Sequence, residues 1–184
     1  MTELSLNVLD VANNSVRAGA SLIEIKIQIQ RESDKLTIMI ADNGCGMTED
    51  ELNHVEDPFY TTRTTRKIGL GVPFFKMAAL STGGSFQITS APNVGTTVTA
   101  VFKLSHIDRM PLGDINSTMH TLITLNTQID FLYTYELDGK QFILDTREFR
   151  QILNHVPLDN PEVSAFIKEY LEENQRETDN GYRV

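Results

Sequence analysis

Cysteine is nearly missing from this chain of 184 residues, where Cys45 stands alone. A single thiol excludes an internal disulfide and a multi-cysteine metal site, and it fits a reduced, cytoplasmic setting. Tryptophan is absent, so aromatic packing falls to Phe and Tyr. No stretch approaches the ~18 uninterrupted apolar residues of a membrane span. The opening MTELSLNVLD lacks the basic and apolar regions of a secretory signal. Positive charge is scarce too, with 16 basic residues against 25 acidic ones and a net charge of -9. That balance argues against nucleic acid and against an anionic membrane as partners, since both require a basic face. No repeat or low-complexity segment interrupts the chain. The remainder is ordinary for a soluble globular protein, at 40% hydrophobic and 22% charged. The length suits one domain, or one domain with an appendage.

Hydrophobic periodicity divides the chain. Leu4, Val8, Val11, Ala12 and Val16 recur at helical steps and predict a helix over 4–18, stopped by Gly19. Ile23, Ile25, Ile27 and Ile29 alternate with polar residues, which predicts a half-buried strand. A second strand follows over 36–41, after a turn at Ser33-Asp34. Thr48 with Glu51 three residues later reads as a capping box opening a short helix. Residues 57–67 read as a loop and 69–80 as a helix, with Pro73 tolerated in its first turn. Strands are expected over 85–90 and 96–104. Beyond them come a linker over 106–114 and a helix over 115–125. Strands over 129–137 and 141–144 form a hairpin at Asp138-Gly139. Helices are expected over 145–153 and 161–173, then a polar, frayed end.

Four segments carry chemistry. Asp42 ends a strand and opens Asp42-Asn43-Gly44-Cys45-Gly46-Met47. A carboxylate there suits an exocyclic amine such as the adenine N6, the glycines let backbone pass close to a flat base, and Met47 suits the ring face. The alternative is a simple tight turn. Asp10 and Asn14 share one face of the first helix. The Asn14 amide oxygen suits Mg²⁺, and Asp10 suits orienting or deprotonating a water. The alternative is a solvated helix face. Arg63, Arg66 and Lys67 precede Gly69-Leu70-Gly71, a glycine-rich helix start of the kind that binds anions. In an acidic chain these supply the local positive charge a triphosphate requires. Finally, Gly95-Thr96-Thr97 enters a strand, where the Thr96 hydroxyl suits an adenine or a water shared with Asp42.

Taken in order, these segments resemble the N, G1, F/G2 and G3 boxes of the GHKL superfamily. That superfamily comprises DNA gyrase, the heat-shock chaperones of about ninety kilodaltons, sensor histidine kinases and mismatch-repair ATPases. DVANNSVRAGAS resembles the mismatch-repair N box, whereas DPFYTTR and GLGVPFFKMAALSTGG are more similar to histidine kinases. The resemblance covers about residues 1–105. It implies an α+β Bergerat fold, a two-layer α/β sandwich with a mixed sheet and ATP held between helices and sheet. By position Asn14 matches the Mg²⁺-ligating Asn, Asp42 the adenine-binding Asp, and Thr96 the G3 threonine. Gly44, Gly46, Gly69 and Gly71 match the motif glycines. Met47, Thr62, Arg63, Lys67 and Leu70 complete the expected ATP-binding set. Asp10 falls where hydrolysing members carry a catalytic glutamate that is one methylene longer. Val72-Pro73 departs from the kinase pattern, and the stretch between Phe59 and Gly69 implies a short ATP lid.

The resemblance implies three activities: a kinase module acting on a partner protein, a slow ATPase switch, or a non-hydrolysing ATP-binding regulatory subunit. No phosphoacceptor hairpin precedes the first box, and none of His54, His106, His120 and His155 sits in an acceptor motif. A phosphoacceptor is therefore expected on another chain. Residues 106–184 read as a small C-terminal α/β extension that either extends the sheet or docks a partner or a second copy, making a homodimer. Its acidic end, over 162–179, reads as a solvated helix face.

Overall fold

The computed structural model describes residues 3–55, 71–154 and 156–184. Helix α1 (Leu4–Arg17) is followed by strands β1 (Leu22–Gln30) and β2 (Lys35–Asp42) and helices α2 (Glu49–His54) and α3 (Gly71–Ser81). Strands β3 (Ser85–Ala91) and β4 (Gly95–Lys103) come next, then α4 (Ile115–Leu125) and the hairpin β5 (Asp130–Leu137) and β6 (Lys140–Asp145). Helices α5 (Thr146–Ile152) and α6 (Pro161–Asp179) complete the α+β chain. The strands form one mixed six-stranded sheet in the order β3-β4-β2-β1-β5-β6. Among the described residues, only the β1–β5 pairing is parallel.

Alternation sets the layering. Every second residue of β1, β2 and β5 is buried, and the register aligns those residues across the sheet. Ile25 lies opposite Ile40 on one side and Tyr133 on the other, and Ile27 lies between Ile38 and Tyr135. One face of the sheet is thereby apolar and takes the helices. Phe75 of α3 is fully buried there, its ring 6.3 Å from Phe86 and 5.8 Å from Phe102. Burying one such ring is worth about 1.5–3 kcal/mol. This anchor holds the first turn of α3 beside α1.

The Asp138-Gly139 hairpin forms as expected, with φ of 48° and 87° at the two turn residues. The capping box at Thr48 and Glu51 is complete. Burial alone does not say which strand receives the hairpin. It joins the main sheet, pairing β5 with β1 from Leu22↔Asp130 to Ile29↔Leu137.

One expectation is sharpened and one is corrected. The stretch over 106–114 is more than a tether: the Pro111 and Leu112 carbonyls accept the Leu4 and Ser5 N–H groups at 2.9 and 2.8 Å. Those are first-turn donors of α1, and the N-cap residue Glu3 makes no side-chain cap bond to them. The chain end is not frayed either. Helix α6 continues to Asp179 because Thr178 and Asp179 are buried on its inner face, following Val163, Ile167 and Leu171. The Tyr135 hydroxyl donates to Asp179 at 3.1 Å, and the Leu112 N–H donates to the Val184 carbonyl at 2.9 Å. Burial, and then the Asp179 charge, push the Tyr135 phenol well above its ordinary value, so it remains a donor. Among the described residues, no helix is long and apolar enough to cross a membrane.

Candidate functional site

Helix α1 buries Leu4, Val8, Val11 and Ala12 and leaves Asp10 and Asn14 half-buried on another face. Its C-terminal end runs beside the end of β2, where Asp42 sits. In the sheet, Asp42 lies opposite Thr96, and Thr96 lies opposite Ser90. Directly opposed residues share a face, so the three polar side chains form one row across β2, β4 and β3.

Asp42 is held from two sides. The Ser15 hydroxyl donates to Oδ2 at 2.5 Å, and the Gly44 N–H donates to Oδ1 at 2.9 Å. An ionised carboxylate has about four lone-pair sites, so it retains capacity for a further donor. Asn43 pins the turn, its Oδ1 accepting from the Ser21 and Leu22 N–H groups at 2.9 and 3.0 Å. The Cys45 N–H donates to the Ala18 carbonyl, and the Cys45 carbonyl accepts from the Asn93 N–H. The turn is thereby clamped between the end of α1 and the β3–β4 turn.

A second network fixes Thr96. The Ser90 hydroxyl donates to the Gly95 carbonyl at 2.8 Å and accepts from the Met47 N–H at 2.9 Å. With its proton so used, Ser90 receives the Thr96 hydroxyl proton across 2.9 Å. Thr96 therefore has acceptor capacity left, which suits an amine of a ligand.

Ser15, Asp42, Met47 and Thr96 border a cavity of about 310 Å³. Ile40, Ile88 and Val98 from the sheet and Val11 and Pro73 from the helices supply its apolar walls. A pocket of that size, mostly apolar with a few fixed polar groups, fits a flat heteroaromatic base. Glu51 also lines it, its carboxyl held below the ordinary range by the Thr48 backbone N–H and then by the Thr48 hydroxyl.

Of the residues singled out from sequence, Asn14, Asp42, Gly46, Met47, Gly71 and Thr96 line the cavity. Gly44 supports Asp42 from behind. Asp10 is not part of the lining, but it lies against the start of α3, where a Cβ on Gly71 would come within 3.3 Å of the Asp10 Cβ. Thr62, Arg63, Lys67, Gly69 and Leu70 lie outside the described residues, as does Arg66. Gly46 has a structural reason to be glycine beside any ligand: φ is +66°, and a Cβ would meet the Ala91 carbonyl oxygen at 1.9 Å.

The sequence reasoning missed Ser15, Arg17 and Ser90. Arg17 lines the cavity and donates to Asn14 Oδ1 at 3.2 Å, which brings a positive charge to the rim. Its i, i+3 spacing from Asn14 was a usable signal. Ser15 had none, because only the packing of α1 on β2 brings it to Asp42. Ser15→Ala is expected to retain the fold and weaken nucleotide binding about five- to tenfold, the worth of one hydrogen bond of ~1 kcal/mol. Titration calorimetry on the variant checks this.

Comparisons with known proteins give the family. Residues 2–106 match the family profile described as histidine kinase-, DNA gyrase B-, and HSP90-like ATPase. Sensor protein kinase FleS of Pseudomonas aeruginosa is 33% identical over 108 residues, 59% of this chain and 26% of that protein. Sporulation kinase D of Bacillus subtilis is 32% identical over 98 residues, 53% of this chain and 19% of that protein. The chain spans about a quarter or less of the length of these relatives. A crystal structure of the N-terminal domain of a DNA repair protein shares the fold, with a TM-score of 0.56 and 17% identity. That likeness covers 79% of this chain and 53% of the other. This is more than residues 2–106 make up, so the shared architecture extends into the residues beyond 106. The chain belongs to the histidine kinase-, DNA gyrase B- and HSP90-like ATPase family, and residues 2–106 carry its ATP-binding unit.

Proposed function

We propose that this protein is a Mg²⁺-dependent ATP-binding module that acts on a partner protein, as a regulatory kinase or an ATP-driven switch. The observation that carries it is the pair Asp42 and Thr96 facing an apolar cavity under α1, with Ser90 hydrogen-bonded to Thr96 in the same row. In this reading Asp42 accepts the adenine amine, and Thr96 accepts from the same group or from a shared water. Apolar walls exclude competing water, which strengthens a charge-assisted bond. Residues 1–105 form the nucleotide domain and 106–184 an extension of it.

Among the described residues no cluster of three or more His, Cys, Asp or Glu side chains is placed to hold a metal. Mg²⁺ does not require one, because it is commonly held by one or two protein oxygens together with substrate phosphates and water. Asn14, half-buried at the cavity edge with its amide oxygen beside Arg17, fits that single-ligand role. The ion supplies charge neutralisation for the phosphates. Gly71 and Val72 at the start of α3 line the same cavity as Arg17, and helix-start N–H groups and a guanidinium favour anionic oxygens. Asp10, next to Gly71, is the residue assigned to hold or accept the proton of an attacking group.

Three described histidines are engaged locally: His54 with the Asp50 carbonyl, His106 with the Asp108 N–H and His120 with Ser164. A phosphoacceptor on a partner chain remains the better fit. ATP labelled in its γ-phosphate, incubated with the protein and candidate partners, separates the activities. Label on a partner identifies a kinase, free phosphate an ATPase, and neither a regulatory binder. Asp10→Asn is expected to keep nucleotide affinity within about twofold and lower turnover by roughly a hundredfold, the scale of one general base. Asn14→Ala is expected to remove the Mg²⁺ dependence of binding. Equal loss of ATP affinity in both variants would contradict the assignment of Asp10.

A further inference from the structure

The α5–α6 face, which lies outside the nucleotide site, carries a second kind of chemistry. Ile152 is 79% exposed, Phe166 47% and Val156 40%. Phe166 belongs to one ring cluster: Phe149, Phe166 and Tyr170 have centroids 5.2 to 6.2 Å apart. Phe149 is buried and roots the cluster in the core, and Ile152 follows it by one helical turn on the same face. Large apolar groups gathered in this way mark a contact surface, whereas single scattered ones do not.

The rim is predominantly acidic. Glu162 precedes Phe166 by four residues, Glu169 follows it by three, and Glu173 follows Tyr170 by three, so carboxylates and rings share one stripe of α6. All three glutamates are exposed, and among the described residues none has an ion-pair partner. Of the nearby cations, Arg147 and Arg150 are committed elsewhere, Lys168 lies on the opposite side of α6, and Arg176 follows Glu173 by three residues at the far end of the stripe. Arg147 pairs with Asp145 at 2.7 Å, and Arg150 pairs with Asp130 and donates to the Thr127 and Ile129 carbonyls.

We infer that this face docks an amphipathic helix of a partner protein whose apolar stripe is flanked by Lys or Arg. The apolar centre supplies affinity, and the unpaired glutamates supply attraction and orientation. A second copy of the chain would set these glutamates against one another in a two-fold contact, and an anionic membrane would be repelled by them. The surface shares no residue with the nucleotide cavity and stands independently of the ATP reading.

The test is fluorescence anisotropy with a synthetic Leu/Lys helix, its leucines at i, i+3, i+4 and i+7 spacing. Two controls accompany it, a scrambled peptide of the same composition and a helix with Glu in place of Lys. The Leu/Lys helix should bind saturably at one per chain, at least about tenfold more tightly than either control. Phe166→Glu and Ile152→Glu should each weaken it by a similar factor while leaving ATP affinity unchanged. Ile152→Glu should also leave thermal unfolding unchanged, whereas Phe166→Glu gives up its ring packing on Phe149 and Tyr170 and should melt a few degrees lower. Equal binding of the scrambled peptide would reduce the surface to bulk charge and overturn the proposal. So would absence of binding, or a concentration-dependent dimer in sedimentation that Phe166→Glu dissolves.

Discussion

Asp42→Asn is expected to lower ATP affinity by about a hundredfold or more while the protein stays folded. The carboxylate is the one anionic group in the row formed with Thr96 and Ser90, and it is held by Ser15 at 2.5 Å and by the Gly44 N–H at 2.9 Å. Those two donors leave its remaining lone pairs for a ligand amine. An amide in its place loses the charge and turns one of the two oxygens into a donor. Either the Gly44 N–H or the ligand amine then faces an NH₂ group. A charge-assisted hydrogen bond is worth about 1.5–3 kcal/mol, and an unmatched donor at a desolvated site adds to the loss. Asn has nearly the volume of Asp and can still meet Ser15, so the melting temperature should move by no more than a few degrees. Calorimetric titration with ATP, with circular dichroism melting as the control, provides the check. An unchanged ATP affinity in a folded Asp42→Asn protein would remove the basis for the adenine assignment.

Gly95→Ala is expected to have the largest effect on stability among substitutions at the site. Gly95 has φ of +123°, which L-residues rarely adopt. A Cβ there would lie 1.9 Å from the Asp42 carbonyl oxygen and 2.9 Å from the Asn43 Cα. Both obstacles are backbone, so no side chain can swing aside. Strain of this kind costs about 1–3 kcal/mol before the clash is counted. Relief requires β4 to move off β2 at the Asp42↔Thr96 pair, which carries the site. A fall of roughly 10 °C in the melting temperature is expected for a chain of this size. Nucleotide binding should fall with it, even at temperatures where the variant is still folded. A melting temperature within a degree or two of the parent would show that the strand has room this geometry does not provide.

Where the signal was local, the fold was legible in the chain. The capping box at Thr48 and Glu51, the Asp138-Gly139 turn and the alternation of Ile23 to Ile29 each depend on residues a few positions apart, and all three stand as expected. The end of α6 was misread because its late residues are polar. Thr178 and Asp179 are buried through hydrogen bonds rather than apolar contact, which hydrophobic patterning does not register. The segment at 106–114 is the connecting stretch expected, and only its hydrogen bonding was hidden. Its Pro and Gly composition indicates a loop, but composition says nothing about which orphan N–H groups its carbonyls satisfy.

The sequence by itself determined the mixed α+β class, the family, and the residue types on which nucleotide recognition depends. Helical and strand periods, turn chemistry and motif order are all carried by neighbouring residues. Tertiary structure alone decided which distant residues those groups meet. Ser15 reaches Asp42 across 27 positions, Thr96 and Ser90 fall into one row with it, and Arg17 reaches the cavity rim. It also decided that β5 lies parallel to β1 and that the α5–α6 face keeps Ile152 and the Phe166 ring exposed. Such meetings depend on strand register and on how helices pack across a sheet, and a one-residue slip would turn every side chain to the opposite face.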